Sequence, residues 1–313
     1  METGVVKLLG RTKNFIILRL LVGVAVIVGG IILVAIMVAL MNAAPDAGLF
    51  ILIGFALFGR IGYHILARAL LYAIRVGHTA AITQIMRDGQ SDSEGMSIGA
   101  TIVWSKDIIV KYLGSAVGSA AVGIIITGAV KQVMKWVNRG LNLLSWIPGM
   151  DKVQKFVNMM ITVLCSAIDC SILSYIIWHE DERNAFKKGC DGLVLFAQAW
   201  KGMLKGALKV VAVIYGVQLL SGLVGYGLAV PIIRTFGAGA GLAAIFGALL
   251  LMVVVSLTLT QPFTMVSMLK SYHKSIAGLE PSVDIHGKLS KFSSKFRKLE
   301  ENANVVEAEP VAV

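Results

Sequence analysis

Charge is scarce in this 313-residue chain: Asp, Glu, Lys and Arg together make up 15% of it, where a soluble domain carries about a quarter. So little polar surface argues against an ordinary water-soluble globule. Acidic residues are the rarer sign, 18 against 29 Lys and Arg, for a formal net charge of +11. The basic residues are dispersed among hydrophobic segments, which disfavours a nucleic-acid partner. Cysteine is limited to Cys165, Cys170 and Cys190. An odd, sparse set provides no disulfide framework and no CxxC metal pattern. Cys165 and Cys170 lie inside an apolar stretch and read as packing residues.

Catalytic signatures are missing as well. The chain has no HExxH, no GxSxG, no phosphate loop and no paired carboxylates within its apolar runs. Its five histidines are scattered. No catalytic residue, metal or cofactor is therefore assigned, and the expectation is a protein that is not an enzyme. The Gly-x-Gly stretches lack the strand-turn-helix context of a nucleotide loop. The first apolar run is too long for a signal-peptide core and has no small-residue cleavage site after it.

What is abundant is apolar: 57% hydrophobic residues, a mean hydropathy of +0.79 and 33 glycines beside only 6 prolines. This composition predicts an all-α, polytopic helical membrane protein, with close-packed helices accounting for the glycine. Crossing a hydrocarbon core of about 30 Å takes about 20 residues. Leu20 to Met41 is charge-free, with Arg19 at its edge placed to snorkel to headgroups. Further apolar regions start near Gly48 and continue past Arg75, then run from Tyr112 to Val130, Phe156 to Trp178, Ala207 to Ile233 and Gly237 to Leu269. That makes about six hydrophobic helices in a membrane domain over 1–277. Trp104, Trp136, Trp146, Trp178 and Trp200 fall at or near the ends of these runs, the depth amphipathic indoles prefer. Residues 89–97 form a polar break expected to be an exposed loop.

Lys7, Arg11 and Lys13 precede the first run, and the C-terminal segment is richer still, whereas the turns at 42–48 and 234–237 hold only Arg234. Both termini therefore read as cytoplasmic, in a multi-pass protein of the cell (inner) membrane. The 131–155 connection resists this scheme, since it holds Lys131, Lys135, Arg139, Lys152 and Lys155 against Asp151 alone. Either the charge bias is overridden there, or 112–130 and 156–178 enter and leave on the cytoplasmic side as a hairpin.

On the second helix, Arg60, His64, Arg68, Arg75 and His78 fall within an arc of roughly 80° at 100° per residue. Buried arginines need a partner, a water-filled cavity or a polar lumen. Asp169, the lone acid inside the hydrophobic runs, is the expected partner of Arg60. Asn158, Thr162 and Ser166 are spaced to form a polar seam beside it. Arg60, His64, Arg68 and Asp169 thus form either a polar path or an intramembrane ion pair with snorkelling neighbours. Pro262 should kink its helix beside Thr258, Thr260 and Gln261. This reads as an ordinary kink or as a discontinuous site of the kind transporters use.

Gly114 with Gly118, and Gly237 with Gly241, have the GxxxG spacing of helix contacts, within one chain or between copies in a homo-oligomer. Segments near 131–155 and 185–205 mix basic and apolar residues and read as interfacial. Over 278–301, Ile285, Leu289, Phe292, Phe296 and Leu299 form an apolar stripe surrounded by Lys288, Lys291, Lys295, Arg297 and Lys298. That is a basic amphipathic helix suited to anionic lipid headgroups, or to docking on the protein's own cytoplasmic face. The acidic segment 302–313 is expected to be disordered.

Leu113 to Ser119, followed by Val130-Lys131-Gln132, with Cys165-Ser166-Ala167 later, resembles part of the choline-transporter-like family. Trp146-Ile147-Pro148-Gly149, Asp191-Gly192-Leu193, Ala197 to Lys201, Gln261-Pro262-Phe263 and Lys295 to Leu299 resemble bacterial polytopic membrane proteins of unassigned function. The resemblances imply a bacterial inner membrane and favour transport. The leading expectation is a transporter or channel-like protein for a small solute or ion. Its rival is a membrane-organising scaffold that binds anionic lipid, shapes the bilayer and self-assembles.

Overall fold

A computed structural model describes residues 4–47, 50, 53–54, 60–113, 128, 132, 150–180, 184–236, 247–249 and 251–308. The protein is all-α, with no strand among these residues. A short α1 (Val5–Arg11) leads into α2 (Lys13–Ala43), and a 3-10 turn follows at Pro45–Ala47. Next come α3 (Arg60–Asp88), α4 (Ile98–Leu113), α5 (Met150–Trp178) and α6 (Ala185–Phe236). A π-helical turn at Ser256–Thr260 opens into α7 (Gln261–Ile276), and the tail forms α8 (Val283–Phe292) and α9 (Ser294–Ala308). Gly114, Gly118, Gly237, Gly241 and most of 131–149 lie outside the described residues.

The core is built where α3, α5, α6 and α7 meet. Val76, Leu164, Ile168, Ile172, Leu193, Phe196, Met203, Met268 and Tyr272 pack into one cluster, joined by Phe296 and Leu299 of the tail. Small residues set how closely the helices approach. A Cβ on Gly206 of α6 would lie 2.8 Å from Ser271 Cβ of α7, and Gly202 faces Ser275 one turn away. Glycines four apart on one helix meet serines four apart on the other, so the backbones close to a distance that larger residues forbid. Gly77 of α3 meets Ser105 of α4 in the same manner.

The 52-residue α6 is about 78 Å long and does two jobs along its length. Its first half is in the core, with Leu193, Val194, Leu195 and Phe196 all buried. Its second half turns Leu219, Leu220, Leu223, Val224, Tyr226 and Leu228 outward. The 185–205 segment is thus not a separate interfacial helix: its apolar side faces α5 and α7, and it continues without a break into the next apolar run. Lys188 is buried and donates to Ile176 O (3.2 Å) and His179 O (2.8 Å), closing the C-terminus of α5.

Two stretches, Ala185–Pro231 and Gly247–Ile276, are long and apolar enough to cross a membrane. α2 adds an outward file of Leu21, Val24, Val28, Ile32, Ile36 and Leu40. Polar and charged residues gather at the opposite end. There Arg11 bonds Glu94 (Nε–Oε1 2.5 Å) and Gly89 O (2.7 Å), while Asn14 bonds Met96 O. The 89–97 segment is the exposed turn expected, pinned to the bundle by buried Ser91 and Ser93, with Gly89 and Gly95 at φ +82° and +78°.

The tail also departs from expectation. The 278–301 stretch is two helices, broken at Ser293, whose Oγ donates to Gln132 Oε1 at 2.6 Å. Leu289, Phe296 and Leu299 are buried against α6, so the stripe faces protein, while Phe292 is exposed. The 302–313 segment is helical to Ala308, and Asn184 Nδ2 bonds Ala303 O at 2.7 Å.

Candidate functional site

A cavity of about 430 Å³ lies where α2, α3, α5, α6, the π turn and α7 converge. Arg19 and Arg75 contribute its charge, Thr162, Gln218, Ser256, Thr260, Gln261 and Thr264 its polar groups, and Val163, Ala167 and Ile214 an apolar wall. Its volume falls within the several hundred Å³ usual for small-molecule sites.

Each element reaches the cavity for a local reason. Arg19 stands at the last position of α2 before the charge-free run and is 4% exposed. It does not snorkel outward; it turns into the helix bundle, with Nη2 3.7 Å from the Met265 sulfur. Thioether sulfur is a weak acceptor. Thr12 makes this possible by separating α1 from α2: its hydroxyl bonds Leu8 O (2.9 Å) and shares a 2.9 Å hydrogen bond with His78 Nε2. His78 in turn stacks on Phe15 at 5.0 Å.

The far wall is shaped by Pro262. A proline lacks the N–H its helix needs and its ring crowds the carbonyl four residues earlier. The chain responds with a wide turn over Ser256–Thr260, in which Gln261 N–H bonds Ser256 O. Such π turns often mark functional sites. Thr264 Oγ1 donates to Thr260 O at 2.8 Å, and Thr260 Oγ1 is itself buried with no partner among the described residues. Ser256, Thr260, Gln261 and Thr264, on either side of Pro262 and in the turn before it, therefore line the cavity.

Asp169 is paired, but not with Arg60. Arg75 Nη1 donates to Asp169 Oδ2 at 2.9 Å, and Cys170 N donates to Oδ1 at 2.9 Å. Arg60 sits fifteen residues before Arg75 on α3, about 22 Å along the axis, so one carboxylate cannot serve both. The side chains of Arg60, His64 and Arg68 lie outside the described residues. Of the basic arc, Arg75 lines the cavity, whereas His78 is fully buried in its contacts with Thr12 and Phe15. From the proposed seam Thr162 is at the cavity, while Asn158 and Ser166 lie outside the described side chains.

Arg19 is the site residue that sequence reading missed. Its position at the edge of an apolar run is the usual signature of snorkelling. Tail residues fall elsewhere: Lys288, Lys291, Lys295 and Lys298 are exposed, and Arg297 Nη1 donates to Ser290 O and Lys291 O at the end of α8.

A buried Ser174–His273 pair (2.8 Å), extended to Thr83 at 2.6 Å from Ser174, has the look of a nucleophile and base. Both are nearly inaccessible, and His273 packs on Trp178 at 4.5 Å, so the trio serves as a polar clamp between α3, α5 and α7. Among the described residues, no group of three His, Cys, Asp or Glu side chains is placed to hold a metal ion.

Glu180, just past α5, collects Lys111 Nζ (2.7 Å), the Tyr112 hydroxyl and Arg87 Nη2 (3.0 Å). The hydrogen bonds from Lys111 and Tyr112, ahead of the Arg87 charge, pull its carboxyl from an ordinary 4.5 down to about 2. Arg87 also bonds Ile177 O and Trp178 O, so this node ties α3 and α4 to the end of α5.

Comparison with protein-family models, curated proteins and solved structures returns no match for this chain.

Proposed function

We propose that this protein is a multi-pass integral membrane protein that passes a small solute or ion through the cavity between its helices. The carrying observation is the cavity itself: a polar chamber walled by six elements, inside a chain whose long helices present leucine and valine to their surroundings. Apolar exposure on that scale suits a lipid environment. Charged and hydrogen-bonding groups held within such a bundle mark solute paths. The π turn before Pro262 adds an interrupted helix at the same place, the geometry transporters use to free backbone groups for a substrate. The polar end, where Arg11 meets Glu94, is the cytoplasmic side in this reading.

Gln218 reports on the path. In a chain whose native cysteines are replaced by alanine, Gln218→Cys is expected to react with a small, membrane-impermeant methanethiosulfonate from at least one face of cells or inverted vesicles. A thiol closed to both faces overturns the transport reading.

The scaffold reading keeps one favourable observation: Lys288, Lys291, Lys295 and Lys298 remain exposed on the docked tail and can meet anionic headgroups.

A further inference from the structure

We propose that the cavity is an anion site, in which Arg19, supported by Arg75, takes the oxyanion end of a small organic monoanion: a carboxylate or a phosphate diester. The inference deepens the transport reading by naming the class of occupant, and it rests on that reading only for what happens after binding.

The first support is an incomplete set of hydrogen bonds. Among the described residues, three buried side-chain atoms lack a partner: Arg19 Nε, Thr260 Oγ1 and His78 Nδ1. Two of the three belong to residues that line this one cavity. Buried polar groups in folded proteins are almost always satisfied, so two orphans on residues that line one chamber are groups that a small side-chain rotation can offer to an occupant there. A guanidinium offers five donors in a planar fork that matches carboxylate and phosphate oxygens. Arg19 spends none of them on an oxygen of the protein among the described residues.

The second support is charge. The described lining carries two arginines and no acid. Asp169 neutralises one of them: its two oxygens are taken by Arg75 and by Cys170 N–H. One positive charge is left over at Arg19, and no acidic side chain among the described residues pairs with it. An uncompensated buried cation is strongly unfavourable. A bound monoanion removes that penalty, whereas a cation would double it.

Size and walls define the rest of the ligand. The volume of about 430 Å³ is an order of magnitude beyond the ~30 Å³ share of a single water, so a bare inorganic ion would leave most of it unfilled. Val163, Ala167 and Ile214 offer the remainder an apolar face, and the Gln218 and Gln261 amides can orient the head. The same chemistry describes a free organic anion and the phosphate of an anionic lipid.

The test uses the full-length protein, delipidated in a neutral detergent, with diethyl phosphate and hexanoate as probes and choline as the cationic control. Both anions are expected to raise the unfolding temperature in a saturable manner, and choline to leave it unchanged. Arg19→Gln should weaken anion binding by about tenfold or more, Arg19→Lys by less. Without ligand, Arg19→Gln should be no less stable than the parent, because it deletes an unpaired buried charge. A purely structural Arg19 predicts the reverse. Loss of folding in Arg19→Gln, or equal anion binding by parent and variant, overturns the proposal, as does a parent that responds to neither anion. Thr260→Val is the second variant and should weaken anion binding without loss of fold. Native mass spectrometry of protein reconstituted with phosphatidylglycerol separates the sources: a tightly held lipid that Arg19→Gln loses identifies the headgroup, and its absence identifies a free anion. Anion binding together with a Gln218→Cys thiol closed to both faces would leave this site standing and remove transport alone.

Discussion

Arg75 Nη1 and Asp169 Oδ2 meet at 2.9 Å across α3 and α5, with the arginine side chain 35% and the aspartate 22% exposed. The pair is half-sheltered, beside a cavity that also receives Arg19. It holds two core helices together at the level where their faces stop being purely apolar. Removing either partner leaves the other charge without compensation.

Asp169→Asn is therefore expected to lower stability by about 1–3 kcal/mol, less than for a fully buried pair because solvent reaches both groups. The double variant with Arg75→Gln should recover part of that loss. Thermal unfolding of the two single variants and the double variant in detergent measures the coupling, and strict additivity would refute the pairing.

Acid should loosen the node at Glu180. Its folded carboxyl is held near 2 against an ordinary 4.5, chiefly by Lys111 and Tyr112. A depressed acid stabilises the fold fully above its unfolded value and loses that contribution as pH falls from about 4.5 toward 2. The contribution is on the order of 1 kcal/mol, since a third of the side chain is exposed. Glu180→Gln should flatten the stability profile across that window and leave the slope above pH 6 unchanged, as read from denaturation midpoints.

Gly206→Ala should cost about 1–3 kcal/mol, because the added methyl would lie 2.8 Å from Ser271 Cβ and the α6–α7 approach must widen. Ser271→Gly in the same chain makes room and is expected to restore part of the loss. Gly216→Ala is the control: a Cβ there meets nothing within 4 Å.

Phe296 is fully buried in the main cluster, so Phe296→Ala should destabilise the docked tail by about 3–5 kcal/mol. Limited proteolysis should then cut within 283–308 far faster than in the parent. Replacing Lys288, Lys291, Lys295 and Lys298 by glutamine should leave that protection intact, since those side chains project away from the core.

Sidedness of the 131–155 connection separates transport from scaffolding. With native cysteines replaced, Ser145→Cys is expected to react with an impermeant thiol reagent in intact cells, as six crossings require. Reaction only after the cells are opened would mean a hairpin returning to the cytoplasmic side, and liposome remodelling would become the activity to measure.

Helical class was legible from composition, because a chain this short of charge and this rich in leucine, valine and glycine must satisfy its backbone locally. The Asp169 carboxylate and the Pro262 kink were also legible as chemistry, each being exceptional within its run. Their partners were not. Helical periodicity places Arg60, Arg75 and His78 on one face without saying which neighbour arrives at which height, and it was the register of α5 against α3 that selected Arg75. The same limit applies to the tail, where a stripe of five apolar residues fits a membrane or a protein groove equally well. Likewise, the Gly202–Gly206 spacing became meaningful only when Ser271 and Ser275 came to face it.

By itself, then, the sequence determined local quantities: helix, apolar length and the kink at Pro262. These depend on side-chain transfer to an apolar medium and on backbone hydrogen bonds a few residues apart. Only the tertiary structure decided that Arg19 turns inward, that no carboxylate among the described residues pairs with it, and that six distant segments meet at a cavity beside it. Those depend on which helices touch, and contact between residues 246 apart is set by packing over the whole bundle.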